Sequence, residues 1–197
     1  MKKVIGVAIL LLTLTNTTMA KEKGFDLERE IAVNVSAEKL WDMVGPGFTD
    51  VYKWASNVDH SEGKGQSEFE GASCSERSCD VSVKGFSKIN EKLYKYDAAK
   101  MNLAYEVNNG MPGFITKAQN DWTVVSLGEN KSKLVMKAVF RSKGLMGSMM
   151  NGKMKKKMEE TLTTVLNDAK VYAETGKISQ AKAERVAKLQ KKSKVAA

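Results

Sequence analysis

The chain is poor in the residues that carry most protein chemistry. Its 197 residues include one histidine, His60, two cysteines, Cys74 and Cys79, and two prolines, Pro46 and Pro112. A lone histidine leaves a Ser/His/Asp triad or a histidine metal centre little to draw on, and His60 falls in the polar, loop-like stretch SNVDHSEGKG. Two cysteines with four residues between them are short for a zinc knuckle, no other cysteine supplies the remaining ligands, and the thioredoxin-type redox spacing is missing. No phosphate-cradling loop or dinucleotide fingerprint occurs. The residues therefore point to no catalytic set, no metal site and no cofactor.

Long apolar runs are also scarce. The one near the start, Val4 to Leu14, follows Lys2 and Lys3 and leads to a polar stretch ending in Ala20, with Thr18 two positions before it. That is the pattern of a Sec-type signal peptide cleaved after Ala20, and the run is too short to cross about 30 Å of hydrocarbon. The mature chain is thus expected to be periplasmic or secreted, its length suiting one domain with a real core. In an oxidising compartment Cys74 and Cys79 are expected to form a local disulfide that pins a turn.

Charge is uneven. The formal net charge is +9, of which Lys177–Ala197, with seven Lys/Arg against Glu184, holds +6. Without the two leader lysines the body from Lys21 to Gly176 is near +1, so basicity belongs to the tail. The tail suits either a solvated, partly helical extension or contact with an anionic membrane surface; export argues against nucleic acid. The expected division is leader 1–20, domain 21–176 and basic tail 177–197.

Periodicity supplies the fold. Phe25, Leu27, Ile31, Val33 and Val35 alternate with polar residues as in a half-buried strand, with Arg29 breaking the apolar phase, either beyond the core's edge or pointing a charge into a cavity. Ser36 can cap a short helix whose Leu40, Trp41 and Val44 share one side, Gly45-Pro46-Gly47 stop it, and a second short helix is expected from Thr49. Six strands follow, Ser67–Ala72, Cys79–Val83, Ser87–Tyr96, Met101–Val107, Ile115–Ser126 and Lys131–Arg141, separated by turn-forming sequences. Met150, Met154, Met158, Leu162, Val165, Ala169 and Tyr172 then form a helical stripe ended by Gly176. Leu145, Met146, Met149 and Met150 add a methionine-rich cluster at its start, of the kind that fills core gaps or adapts to variable apolar partners.

The order and spacing of VSAEKLWDMV, Trp54, Arg77, Gly85, NEKLYKYDAAK, LAYEV and Pro112, over about Ile31 to Ala173, resemble the START-like helix-grip superfamily, in particular its polyketide cyclase/dehydrase and lipid-transport family. The resemblance implies an α+β fold: a curved antiparallel sheet of about seven strands wrapped around a long C-terminal helix, with two short helices closing one end. It implies an apolar cavity with the loops around Gly85 and NNGMPGF at its mouth. Leu93, Met101, Leu103, Tyr105, Trp122, Met136 and Phe140 would line it, with Met149 and Met150 near the opening.

Glu91 is in phase with Ile89 and Leu93, so it points inward if they do, and a buried carboxylate must be paired, hydrogen-bonded or neutral. Arg29, Tyr105 and Lys137 are its candidate partners; the pairing would be either an anchor for an amphipathic ligand or a structural ion pair. Three functions remain open. One is an exported binding or transport protein for an apolar or amphipathic small molecule such as a lipid, isoprenoid or polyketide-like compound. Another is a cyclase/dehydrase using Glu91 and Tyr105 as acid and base. The last is an envelope interaction protein with a collapsed cavity. The want of a convincing acid/base set favours binding.

Overall fold

The computed structural model describes residues 22–83 and 86–196; the leader and Gly85 lie outside the described residues. Seven antiparallel strands form one sheet in the order β1-β7-β6-β5-β4-β3-β2, with β1 Lys23–Val33, β2 Val58–Lys64, β3 Glu76–Val83, β4 Phe86–Asp97, β5 Asn102–Asn109, β6 Ile115–Gly128 and β7 Lys131–Ser142. Between β1 and β2 come α1 (Ala37–Val44) and a 3-10 helix (Pro46–Lys53) kinked at Gly47. After β7 come α2 (Gly144–Thr175) and α3 (Gln180–Ala196).

The alternation read in β1 sets the register. Phe25, Leu27 and Ile31 face Phe140, Ala138 and Leu134 of β7, and the rings of Phe25 and Phe140 stack at 5.1 Å. Ser36 caps α1 by accepting the Lys39 N–H. Bulges interrupt four of the six strand pairings, and each adds twist and bend to the sheet. The bulge between Leu93 and Lys95 also resets the phase of β4, so that Leu93 and Tyr96, three residues apart, are both buried.

Two strand assignments are corrected. Ser67–Ala72 is not a strand but part of the β2–β3 connection, whereas Val58–Lys64, read as a polar loop around His60, is the edge strand β2. Its inner-face positions are small because other elements sit on them. The Ser61 hydroxyl donates to Thr49 O at 2.7 Å. A Cβ at Gly63 would stand 2.8 Å from Thr49 Cγ2 and 3.1 Å from Cys74 Cβ. An edge strand with serine and glycine where the core would be carries no apolar alternation to detect.

The 32-residue α2 is about 48 Å long and lies against β1 and β7. Its second half carries the buried side chains Leu162, Val165, Leu166, Asp168, Ala169 and Ala173, and Gly176 ends it in a left-handed conformation. Met150, Met154 and Met158, the first part of the expected stripe, are only half-buried. The basic tail is helical and docked at its start. Ser179 bonds to Asp168, Lys182 Nζ donates to Val58 O at 2.7 Å, and Arg185 forks the Asp59 carboxylate.

Candidate functional site

The inner face of the sheet brings together seven of the ten residues expected to bind ligand. Glu91, Leu93, Leu103, Tyr105, Trp122, Met136 and Phe140 are all buried, with Leu93 opposite Tyr105, Leu103 opposite Trp122 and Trp122 opposite Met136. Met101, at the β4–β5 turn, is half-buried against them. Met149 and Met150 stand apart on the first turns of α2, Met149 73% exposed. The floor is aromatic: Phe48, Tyr105, Trp122 and Trp54 follow one another at centroid distances of 5.5, 6.2 and 6.1 Å. The indole nitrogens of Trp54 and Trp122 are buried donors without a partner among the described residues.

At the edge of this floor lies a buried ion pair. Arg77 Nε and Nη2 both donate to Glu91 Oε2 at 2.7 Å, and Arg77 Nη1 donates to Phe48 O. The guanidinium lies 3.8 Å from the centroid of Phe48 and 5.2 Å from that of Tyr105. Burial opposes the charge on Arg77, but the Glu91 carboxylate overrides it and holds the guanidinium protonated beyond the usual arginine range. Burial, reinforced by the Glu91 charge, pushes the Tyr105 phenol well above its ordinary value. Burial likewise pushes the Cys79 thiol up to about 12. None of the three exchanges protons near neutrality.

Glu91 therefore points inward as its phase implied, with a different partner. Arg29 instead meets Glu159 of α2 at 3.3 Å, and Lys137 meets Glu28 on the outer face at 3.4 Å. Arg77 was detectable by the same phase rule, since it alternates with Cys79 and Val81 in β3; starting that strand at Cys79 hid it. The expected Cys74–Cys79 disulfide is not formed, both residues being buried free thiols. Spacing placed them in one turn, but β3 begins at Glu76. Cys79 is thus held within a strand, its thiol 3.4 Å from Glu91 Oε2, while Cys74 packs beside Gly63. His60 lies exposed on β2 against Tyr52. Among the described residues no three His, Cys, Asp or Glu side chains converge to hold a metal ion.

Beyond the ion pair the inner face continues to the end of the sheet that carries the NNGMPGF loop. Glu91 pairs with Val107, Asn90 with Asn109, Ile115 with Ser142 and Ser142 with Lys23, which places the NNGMPGF loop and the start of α2 at the same end of the sheet. The Lys143 N–H donates to Phe114 O at 2.8 Å and ties the two together. Gly110 holds the loop against β4: its φ is +92°, and a Cβ there would lie 2.1 Å from Lys88 O. Ile89, Val107, Met111 and Ile115 are half-buried on the rim at this end, and Met154 and Met158 are half-buried along the first half of α2. Two surface grooves occur elsewhere. One of about 450 Å³ runs over Lys156, Glu159, Glu160, Thr163 and Thr164; the other, of about 240 Å³, lies between Asp42, Asp50, Trp54 and Tyr172, and neither is lined by Arg77 or Glu91.

Comparison with known proteins agrees with this architecture. The profile of a family described as polyketide cyclase / dehydrase and lipid transport matches residues 24–170. No curated protein matches the chain by sequence. A START superfamily protein from Mycobacterium smegmatis superposes with a TM-score of 0.59 at 19% identity, over 73% of this chain and 94% of that one. The Zhui aromatase/cyclase from Streptomyces sp. R1128 gives 0.59 at 15% identity, over 81% and 100%. Norcoclaurine synthase from Thalictrum flavum gives 0.59 at 13%, over 78% and 95%. At these identities the likeness is one of fold, a long helix held by a seven-stranded antiparallel sheet. With three quarters of its length matched by the family profile, the chain belongs to the polyketide cyclase/dehydrase and lipid transport family.

Proposed function

We propose that the chain is an exported carrier that binds an apolar or amphipathic small molecule between the inner sheet face and the first half of α2. The supporting observation is the rim. Six half-buried aliphatic and methionine side chains flank the inner face, Ile89, Val107, Met111 and Ile115 at the NNGMPGF end and Met154 and Met158 on the first half of α2, a flexible apolar lining that adapts to varied chains. Below it lie buried polar groups, including the unpartnered Trp122 indole N–H, which would gain a hydrogen bond from a ligand oxygen. Export rests on the leader sequence.

The affinity follows from chain length. Burying about eight methylenes contributes about 6 kcal/mol and one polar contact about 1 to 2 more before ordering costs, which places the affinity at micromolar or weaker. Catalysis fits less well, because Arg77 and Glu91 are engaged with each other, and Tyr105 and Cys79 hold their protons.

The test is extraction of the purified chain with organic solvent, mass spectrometry of the extract, and titration with a dansylated fatty acid. A copurified lipid and saturable micromolar dye binding are expected. Val107→Trp, which fills the rim, should weaken the dye about tenfold. Absence of both lipid and saturable binding overturns the carrier reading and favours an envelope interaction protein.

A further inference from the structure

Large apolar side chains standing in solvent are spread over most of the described surface, with Tyr94, Val125, Leu127 and Ile178 each between 38% and 48% exposed. The three most exposed are gathered in one place. Leu145, Met146 and Met149, 79%, 54% and 73% exposed, occupy the first two turns of α2. At about 100° per residue, Leu145, Met149, Lys153 and Lys156 fall within one stripe about 80° wide, so the same face passes from apolar to lysine.

The charge there is unbalanced. No Asp or Glu occurs from Asn130 to Met158. Along β7 three cations are matched in place, Lys133 by Glu30, Lys137 by Glu28 and Arg141 by Asp26. On α2, Lys157 reaches Glu160 at 3.3 Å. Lys143, Lys153, Lys155 and Lys156 are exposed and have no ion pair among the described residues.

We infer that this tip is a docking surface for an anionic lipid bilayer, with Leu145, Met146 and Met149 entering the boundary between headgroups and acyl chains and the lysines meeting lipid phosphates. The side-chain types select the partner. Arginine's rigid fork suits a fixed anion and marks, with aromatics, the anchors of protein interfaces; from Lys143 to Glu160 there is no arginine and no aromatic residue. Lysines are point charges on flexible stems, suited to a fluid array of phosphates, and their stems can lie along apolar surface while the heads stay wet.

Geometry sets the depth. Leu145 and Lys157 are twelve residues apart, about 18 Å along the axis, which exceeds the depth of about 5 to 10 Å reached by interfacial side chains, so the helix meets the membrane tip first. Gly147 fixes that approach by packing on the end of β7, where a Cβ would stand 2.8 Å from Ser142 Oγ. The surface is distinct from the basic tail. Asp168, where Ser179 docks just ahead of α3, lies about 36 Å along α2 from Gly144. The Lys143–Phe114 bond puts the NNGMPGF rim beside the tip, so docking would bring the proposed ligand entrance to the lipid. The inference holds whether or not a ligand occupies the interior.

Flotation of the full chain with phosphatidylcholine vesicles, with and without phosphatidylglycerol, tests it. Binding is expected only with phosphatidylglycerol and should weaken as salt rises. L145E/M149E should lower affinity at least about tenfold, and K153Q/K155Q/K156Q about a hundredfold, at about fivefold per lysine. All five positions are exposed, so the melting temperature should not move. A tail variant, K191Q/K192Q/K194Q, should stay within about twofold of the parent. No binding to phosphatidylglycerol vesicles, parental binding by L145E/M149E, or a loss confined to the tail variant overturns the proposal and leaves the tip for a protein partner. Dansyl fatty acid binding by K153Q/K155Q/K156Q, whose side chains are exposed on α2, should match the parent, so failure here is separable from failure of the carrier reading.

Discussion

The two halves of α2 are built by different rules. From Leu162 to Glu174 the helix buries three aliphatic side chains, Leu162, Val165 and Leu166, and two alanines, Ala169 and Ala173, and its polar groups are committed: Asp168 accepts the Ser56 N–H at 2.8 Å and Glu174 accepts the Asn34 N–H at 2.7 Å. From Gly144 to Met158 it has no side-chain cap, no acidic residue in its first turn, exposed apolar residues and unmatched lysines. A first turn without cap or acid forgoes stabilisation that most helices take. The contrast teaches that the closed half holds the fold together, while the open half spends its surface on something other than stability.

The largest expected effect lies away from α2, at the buried Arg77–Glu91 pair between β3 and β4. Arg77→Met leaves a buried carboxylate uncompensated and should cost about 3 to 5 kcal/mol in urea unfolding. Arg77→Met combined with Glu91→Leu removes both charges and should recover most of that loss. If the double variant is as unstable as the single one, the pair's value lies in Arg77's contacts with Phe48 and Tyr105 rather than in charge. For the same reason Glu91→Gln is a stability variant here and a poor probe of ligand binding.

A direct comparison along α2 comes next in size. Leu166→Ala in the closed half should cost about 2 to 5 kcal/mol, because Leu166 is almost fully buried and the space cannot collapse completely. Met149→Ala in the open half should stay within about 0.5 kcal/mol. Equal losses at the two sites, measured by chemical denaturation, would mean that the tip is packed in solution and that the helix has no functional half.

How much of this was written in the sequence depends on whether a residue's role follows from its own period. The β1 alternation, the strands β4 to β7, the Ser36 cap and the Gly176 stop all read directly, because each side chain reports the face on which it lies. Glu91's inward aim read the same way. β2 did not, since its inner positions were reduced to Ser61 and Gly63 by the 3-10 helix and Cys74, contacts made across the fold. The partner of Glu91 was missed through one strand boundary. Asp168 was passed over because a carboxylate on a helix normally faces water, and its partners Ser56 and Ser179 are brought to it only by tertiary packing. The free thiols follow the same logic: pairing depends on where β3 begins, which spacing does not state.

The smallest expected effect is a pH dependence confined to the closed end. The Asn34 N–H, and after it Lys170, hold the Glu174 carboxyl below its ordinary value, and the side chain joins the end of α2 to the end of β1. Because its pKa is depressed in the folded chain, its contribution is fully present above the unfolded value, about 4.3, and disappears as pH falls through the folded one. The group is near the surface, so the loss should not exceed about 1 kcal/mol. Glu174→Gln keeps an acceptor for Asn34 but has no charge to lose, and should flatten that part of the acid limb. The open half has no carboxylate before Glu159, so amide exchange in Gly144–Met158, corrected for the intrinsic rate, should not change between about pH 6 and about pH 3, a window that covers the unfolded carboxylate values of about 3.9 and 4.3, while exchange near Ala173 should quicken. Acid loosening that starts instead at the tip of α2 would show that the two halves are not independent.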